Sequence, residues 1–106
     1  MSKKHKDERE ELAAPDATEC RAMLAISKAL ADPSRVAVFR RIANKENLTC
    51  SDLRGCLEMN PATLSHHMKQ LESAGLIETH RDGKFVRAEV RHKAWKNYLS
   101  YLKELA

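Results

Sequence analysis

After residue 16, apolar residues recur every three or four positions, which is the period of an amphipathic helix. One such stripe runs from Ala17 to Leu30 and predicts a first helix. Asp32-Pro33 then joins an N-cap residue to a proline at the first helical position, where the missing N–H costs nothing. A second helix is therefore predicted from Pro33 to about Asn44.

A third, short helix is predicted from about Ser51 to Leu57. Thr49 and Asp52 stand three residues apart before its apolar positions, as in a capping box with Asp in place of the more usual Glu. Gly55 inside this helix costs about 1 kcal/mol relative to alanine. We therefore expect another backbone to approach closely at Gly55.

A fourth helix is predicted to begin at Asn60-Pro61, again a cap followed by proline. Its inward stripe consists of Leu64, Met68 and Leu71. Ser73-Ala74-Gly75 is expected to end it, because glycine is the usual residue just past a helix.

The pattern then changes to the period of strands. Residues 76–80 and 85–90 are strand-like, and Arg81-Asp-Gly-Lys84 between them contains the Asp-Gly pair that tight hairpin turns favour. From Ala94 to Leu105 the helical period returns with one apolar face. The chain is thus predicted to be mostly α with a small β-hairpin, in the order α-α-α-α-β-β-α of a winged helix-turn-helix.

Composition and charge distinguish a short N-terminal segment from the rest of the chain. Residues 1–16 are highly charged and are expected to form a flexible tail, whereas residues 17–106 are expected to form the folded domain. The net charge is +4. Because the four basic and four acidic side chains of residues 1–11 cancel, the positive excess lies in the rest of the chain and agrees with a polyanionic partner.

The remaining composition excludes several classes of protein. No apolar run approaches the roughly 20 residues of a membrane helix, and the charged N-terminus does not resemble a secretory signal. Three cysteines form no disulfide framework. We therefore expect a cytoplasmic protein without a membrane partner.

The helix pair followed directly by a basic hairpin favours DNA binding. The second helix of such a pair fits the major groove, and the hairpin reaches the neighbouring backbone or minor groove. If the inward stripe is buried, small or hydrogen-bonding side chains remain on the outer surface of the fourth helix. The candidate DNA-binding residues there are Asn60, Ala62, Thr63, Ser65, His66, Lys69 and Gln70.

Other functions fit the sequence less well. Neighbouring residues on a helix point about 100° apart, so His66-His67 is a poor metal site, and His67 is expected to pack the helix instead. Trp95, Tyr98 and Tyr101 are more typical of a core or dimer face than of a ligand box. An enzyme is not expected, because so small a chain has little room for a nucleophile and a base in one pocket. A winged-helix protein-interaction module that does not read DNA stays an alternative.

Residues from about 18 to 105 resemble the ArsR family of winged-helix repressors, also called ArsR/SmtB. Ala29-Leu-Ala-Asp-Pro-Ser-Arg35 resembles that family's signature between the first two helices. Ala62-Thr-Leu-Ser-His-His-Met-Lys-Gln-Leu-Glu-Ser-Ala-Gly-Leu76 resembles its recognition helix and exit. The hairpin 81–84 resembles its wing.

The resemblance implies a homodimer, packed through the first and last helices, that represses transcription from a palindromic operator until an effector releases it. It implies that Thr63, Ser65 and His66 contact bases or phosphates. It also implies that the wing contacts DNA through Arg81, Lys84 and Arg87.

The sequence departs from the family at its effector sites. Thr49, Ser51 and Arg54 stand where arsenic-sensing members carry Cys-x-Cys-x-x-Cys, and the last helix lacks the ligands of zinc-sensing members. We expect no metal or cofactor, and we interpret Cys50 and Cys56 as small buried apolar groups. The alternative is a thiol-based metalloid or redox sensor. Its site would use Cys20, Cys50 and Cys56.

Overall fold

In the computed structural model the described residues are 17–45 and 48–106. The predicted charged tail, 1–16, lies outside them. The helices are α1 Ala17–Ala29, α2 Pro33–Asn44, α3 Cys50–Leu57, α4 Pro61–Ser73 and α5 His92–Leu105. The strands are β1 Leu48–Thr49, β2 Ile77–Asp82 and β3 Phe85–Val90. All five predicted helices and both predicted strands are present.

The helix starts follow the predicted capping chemistry. The Asp32 carboxylate accepts hydrogen bonds from the backbone N–H groups of Ser34 and Arg35 at the start of α2. At α3, the Asp52 N–H donates to the Thr49 hydroxyl at 3.0 Å, and the Thr49 N–H donates to the Asp52 carboxylate at 3.2 Å. This reciprocal pair is the predicted capping box.

One three-stranded antiparallel sheet has the order β1-β3-β2. The hairpin β2–β3 was predicted, but the short strand β1, which pairs Leu48 with Ala88, was not. Two residues are too few to show a period of two, and β1 depends on a partner about forty residues away in the chain. It ties the start of α3 to the hairpin.

The core lies between the helices and the inner face of the sheet. Its completely buried large side chains come from α2, α3, α4 and the start of β2, and they include Ile42, Leu53, Leu64, Leu71 and Ile77. Trp95 of α5 packs on Phe39 of the core with ring centroids 5.1 Å apart. The core or dimer-face interpretation of Trp95 is thereby confirmed.

Two predictions for α3 are wrong. A Cβ atom added at Gly55 would have no heavy atom within 4 Å other than those of its chain neighbours and of the nearby backbone of α3 itself. No other backbone therefore approaches Gly55. Cys56 is exposed rather than buried, because it lies on the solvent side of α3, whose one buried residue is Leu53. By contrast, Cys50 is half-buried against the core.

Candidate nucleic-acid interface

The fourth helix presents one polar face to solvent. The Asn60 side chain accepts a hydrogen bond from the Thr63 N–H at 2.8 Å and fixes where α4 begins. Leu64, His67, Met68 and Leu71 bury the opposite face, which confirms the predicted packing of His67. Every candidate residue of this helix is exposed, as predicted: Asn60, Ala62, Thr63, Ser65, His66, Lys69 and Gln70.

The wing is the hairpin β2–β3, and its turn contains Gly83 with φ 66°. That left-handed conformation is the one the Asp-Gly pair predicted, since most side chains disfavour it. Arg81 and Lys84 are exposed on the wing, as a DNA contact requires. The wing therefore carries two accessible cations at its turn.

Arg87 differs from the other two predicted wing contacts. It is half-buried, and its Nε lies 2.9 Å from an Asp82 carboxylate oxygen. Its guanidinium carbon also lies 6.0 Å from the centroid of the Phe85 ring. Arg87 thus joins the two strands of the wing, and part of its charge is already compensated by Asp82.

Phe85 is a further candidate, which the sequence pattern does not indicate. Its ring is 44% exposed at the start of β3, with the Lys84 ammonium 5.7 Å from the ring centroid. A strand pattern alone does not show which apolar residue lies at the end of a hairpin. The structure places this aromatic side chain beside the wing cations.

Glu72 connects α4 to the wing. Its carboxylate accepts hydrogen bonds from the Thr79 backbone N–H at 3.2 Å and from the Thr79 hydroxyl at 3.1 and 3.2 Å. These bonds cross from the last turn of α4 to β2. They fix the wing relative to the helix that carries the candidate DNA contacts.

The carboxylates at the helix starts are held in the charged form. Hydrogen bonds from the Arg35 and Ser34 backbones lower the pKa of Asp32, and hydrogen bonds from the Thr49 hydroxyl and backbone lower the pKa of Asp52. Burial instead raises the pKa of the Cys50 thiol. Cys50 is therefore less ionised than an ordinary thiol near neutral pH.

The three cysteines lie on two helices. Cys20 is half-buried on α1, whereas Cys50 and Cys56 belong to α3. Across 17–45 and 48–106 there is no group of three or more His, Cys, Asp or Glu side chains arranged to hold a metal ion. A thiol site formed by Cys20, Cys50 and Cys56, within one chain or between two copies, stays a prediction.

Comparison with known proteins agrees with the fold. Residues 30–80 match a family described as a helix-turn-helix domain. An arsenical resistance operon repressor from Staphylococcus xylosus is 32% identical over 79 residues, covering 74% of this chain and 71% of the repressor. The cadmium resistance transcriptional regulatory protein CadC from Listeria innocua is 30% identical over 59 residues, which are 56% of this chain. The match spans 50% of CadC, about half its length.

Solved structures share the architecture. The crystal structure of an ArsR family transcriptional regulator has a TM-score of 0.70 at 28% identity, covering 80% of this chain and 87% of that one. The homodimeric winged helix-turn-helix DNA-binding domain from Mycobacterium bovis has a TM-score of 0.68 at 22% identity, covering 86% and 87%. The two-helix unit and its wing define a winged helix-turn-helix protein. The chain belongs to the ArsR family of transcriptional regulators, as its sequence motifs predicted.

Among the described helices, none combines the length and apolar character needed to cross a membrane.

Proposed function

We propose that this chain is a sequence-specific DNA-binding repressor that binds an inverted-repeat operator as a homodimer. The observation that carries the proposal is the exposed polar face of α4 beside the basic wing. An α-helix fits the DNA major groove, and short polar side chains near its N-terminus reach base edges and phosphates. In this proposal Thr63, Ser65 and His66 read the site, while Arg81 and Lys84 contact the backbone or minor groove.

The other residues have supporting roles in the same proposal. Lys69 and Gln70 extend the contact along α4, and Ala62 lets the helix approach the bases closely. Asn60 fixes the start of the helix, whose N-terminus favours phosphate. Arg87 contributes a partly compensated charge and holds the wing through Asp82.

Exposed leucines support a dimer formed through α1 and α5. Of the five large apolar side chains that are most exposed in the described ranges, four lie on these two helices: Leu24, Leu99, Leu102 and Leu105. No residue of α5 is buried. Because the Ser27 and Tyr98 hydroxyls, 2.9 Å apart, hold α1 beside α5, the leucines belong to neighbouring helices. Grouped exposed apolar residues of this kind favour an interface with a second copy.

Alanine substitution on the recognition helix tests the proposal. With a selected operator, Ser65→Ala combined with His66→Ala is expected to reduce specific affinity about tenfold or more, since base contacts contribute about 1–3 kcal/mol each. Fluorescence anisotropy on operator and scrambled duplexes measures the loss. Ser34→Ala combined with His92→Ala makes the same chemical changes at exposed positions at the starts of α2 and α5, and is the matched control. An unchanged operator affinity in the α4 variant would remove the assignment of this helix.

Salt dependence separates DNA recognition from the protein-interaction alternative. Neutralised phosphates release counterions, so the affinity for DNA falls steeply as salt increases. We expect the affinity of this chain for duplex DNA to fall in this way. Binding that is absent or insensitive to salt would favour the interaction module.

A further inference from the structure

A groove lies between α3, α4 and the wing, next to the exposed face of α4. It is open to solvent and has a volume of about 370 Å³, which is ample for more than one water molecule. Ser65 and Lys69 of α4 line it together with Arg54 of α3 and Val86 of β3. The groove therefore joins the proposed recognition helix to a cation on the preceding helix.

The charge of this groove favours an anion. Arg54 and Lys69 contribute two positive side chains to its lining, and the Arg54 guanidinium is oriented by a 3.1 Å hydrogen bond to the Ser51 hydroxyl. Among the described residues that line the groove, Glu72 is the one acidic side chain. Both of its carboxylate oxygens already accept hydrogen bonds from Thr79.

We propose that this groove holds a phosphate group of the DNA backbone between Arg54 and Lys69, which makes Arg54 a DNA-binding residue. A phosphate there accepts hydrogen bonds from the guanidinium, the ammonium and the Ser65 hydroxyl, the mixed donor set that fixes a protein's register on a duplex. The inference rests on the proposed DNA-binding function. It adds a residue that neither the motifs nor the pattern of α4 selected.

Cys50 provides a reporter inside the groove. Cys50 lines the groove and is half-buried, and its sulfur lies 3.7 Å from the Met68 sulfur. Cys56 on the same helix is exposed and does not line the groove. Alkylation with iodoacetamide, followed by mass spectrometry of each cysteine peptide, compares the two thiols in one molecule. With excess duplex DNA at low salt, the alkylation rate of Cys50 is expected to fall at least fivefold, while that of Cys56 changes less than twofold.

Free phosphate distinguishes the source of the anion. Inorganic phosphate at the same concentration of phosphate groups is expected to leave the Cys50 rate unchanged, because a single ion lacks the other contacts of the duplex. Equal protection by free phosphate would overturn the assignment to the DNA backbone. If duplex DNA does not slow the alkylation of Cys50, the proposal that DNA occupies this groove is wrong.

Arg54→Gln tests the residue directly. The substitution removes one phosphate contact from each chain and therefore two from the bound dimer. The negative slope of log affinity against log salt concentration is expected to become shallower by about 1.8, at about 0.9 for each contact. Arg41→Gln removes an equal charge from the last turn of α2, which does not line this groove, and should leave the slope unchanged. An unaltered slope in the Arg54 variant overturns the inference. If the unmodified protein shows no salt-dependent DNA affinity, the proposed function itself fails, which is a separate result.

Discussion

Thr49 and Asp52 form the capping box that begins α3, the first helix of the helix-turn-helix. Thr49 is both the last residue of β1 and the N-cap of α3, so its backbone pairs with Arg87 of the wing strand while its hydroxyl caps the helix. One residue thus connects the sheet to the first helix of the helix-turn-helix. A change at Thr49 should affect stability through the cap.

Thr49→Ala is expected to destabilise the fold by about 1 kcal/mol, the usual loss when a capping hydroxyl is removed. Urea unfolding followed by circular dichroism measures this change. Ser51→Ala removes a hydroxyl of similar size from the exposed surface of the same helix and should cost clearly less. Equal costs for the two variants would contradict the capping account.

The pH dependence of stability follows from the same box. The hydrogen bonds from Thr49 lower the folded-state pKa of Asp52 below its ordinary value of 3.8. Stability from this group is therefore complete above the unfolded-state pKa and is lost as the pH falls through the lower folded-state pKa. Asp52→Asn should show a smaller loss of stability than the unmodified protein as the pH is lowered from about 5 towards 2. Identical acid limbs in urea unfolding would show that Asp52 does not carry this effect.

At the scale of elements, the sequence predicted the features that depend on residues close together in the chain, such as helix caps and turns. The caps at Asp32, Thr49 and Asn60 and the turn at Gly83 all appear where local chemistry placed them. Strand β1 was missed because its stability comes from a distant partner. The exposure of Cys56 and the open space at Gly55 could not be predicted either, since both depend on how α3 packs on its neighbours.

The candidate site shows the same division. The exposed residues of α4 followed from its helical period, and Arg81 and Lys84 followed from the hairpin. The compensation of Arg87 by Asp82, the Glu72–Thr79 link and the groove position of Arg54 required the relative placement of elements. No single stretch of sequence carries that information.

The hydrogen bonds between Glu72 and Thr79 are predicted to hold the wing against α4. Glu72→Ala should lower operator affinity severalfold by loosening the wing. Although two Thr79 donors lose their acceptor, these bonds are exposed to solvent, so the loss of stability should be about 0.5–1.5 kcal/mol, the contribution of a single typical hydrogen bond. Hydrogen exchange at the Thr79 amide, which donates to Glu72, should become faster. Glu104→Ala makes the same change at the exposed end of α5 and should leave exchange at the Thr79 amide unaltered. Unaltered exchange at Thr79 together with unaltered affinity would contradict the link.

At the scale of the whole molecule, the exposed leucines of α1 and α5 form an apolar surface that a single chain does not bury. A small domain buries a limited fraction of its surface, and association of two copies through α1 and α5 would cover side chains that one chain exposes. A two-fold dimer would also set two recognition helices about one DNA turn, roughly 34 Å, apart. A dimer would thus both cover the apolar face and match the proposed symmetric operator.

Leu99→Asp is expected to shift the protein from dimer to monomer in sedimentation velocity, because it places a charge in the proposed interface. Phe85→Asp is the matched control: the two side chains are 46% and 44% exposed, but Phe85 lies on the wing. The control should remain dimeric. Dimers that persist in both variants would place the interface elsewhere.

Selection of binding sites from a random duplex pool tests the central claim most directly. Repeated cycles of binding by the full chain, followed by sequencing, report both specificity and symmetry. We expect enrichment of an inverted repeat whose half-site centres are about 10 base pairs apart, as two recognition helices on a two-fold dimer require. Failure to enrich any sequence, or enrichment of a single site without a repeat, would contradict the account of a homodimer that reads DNA through α4.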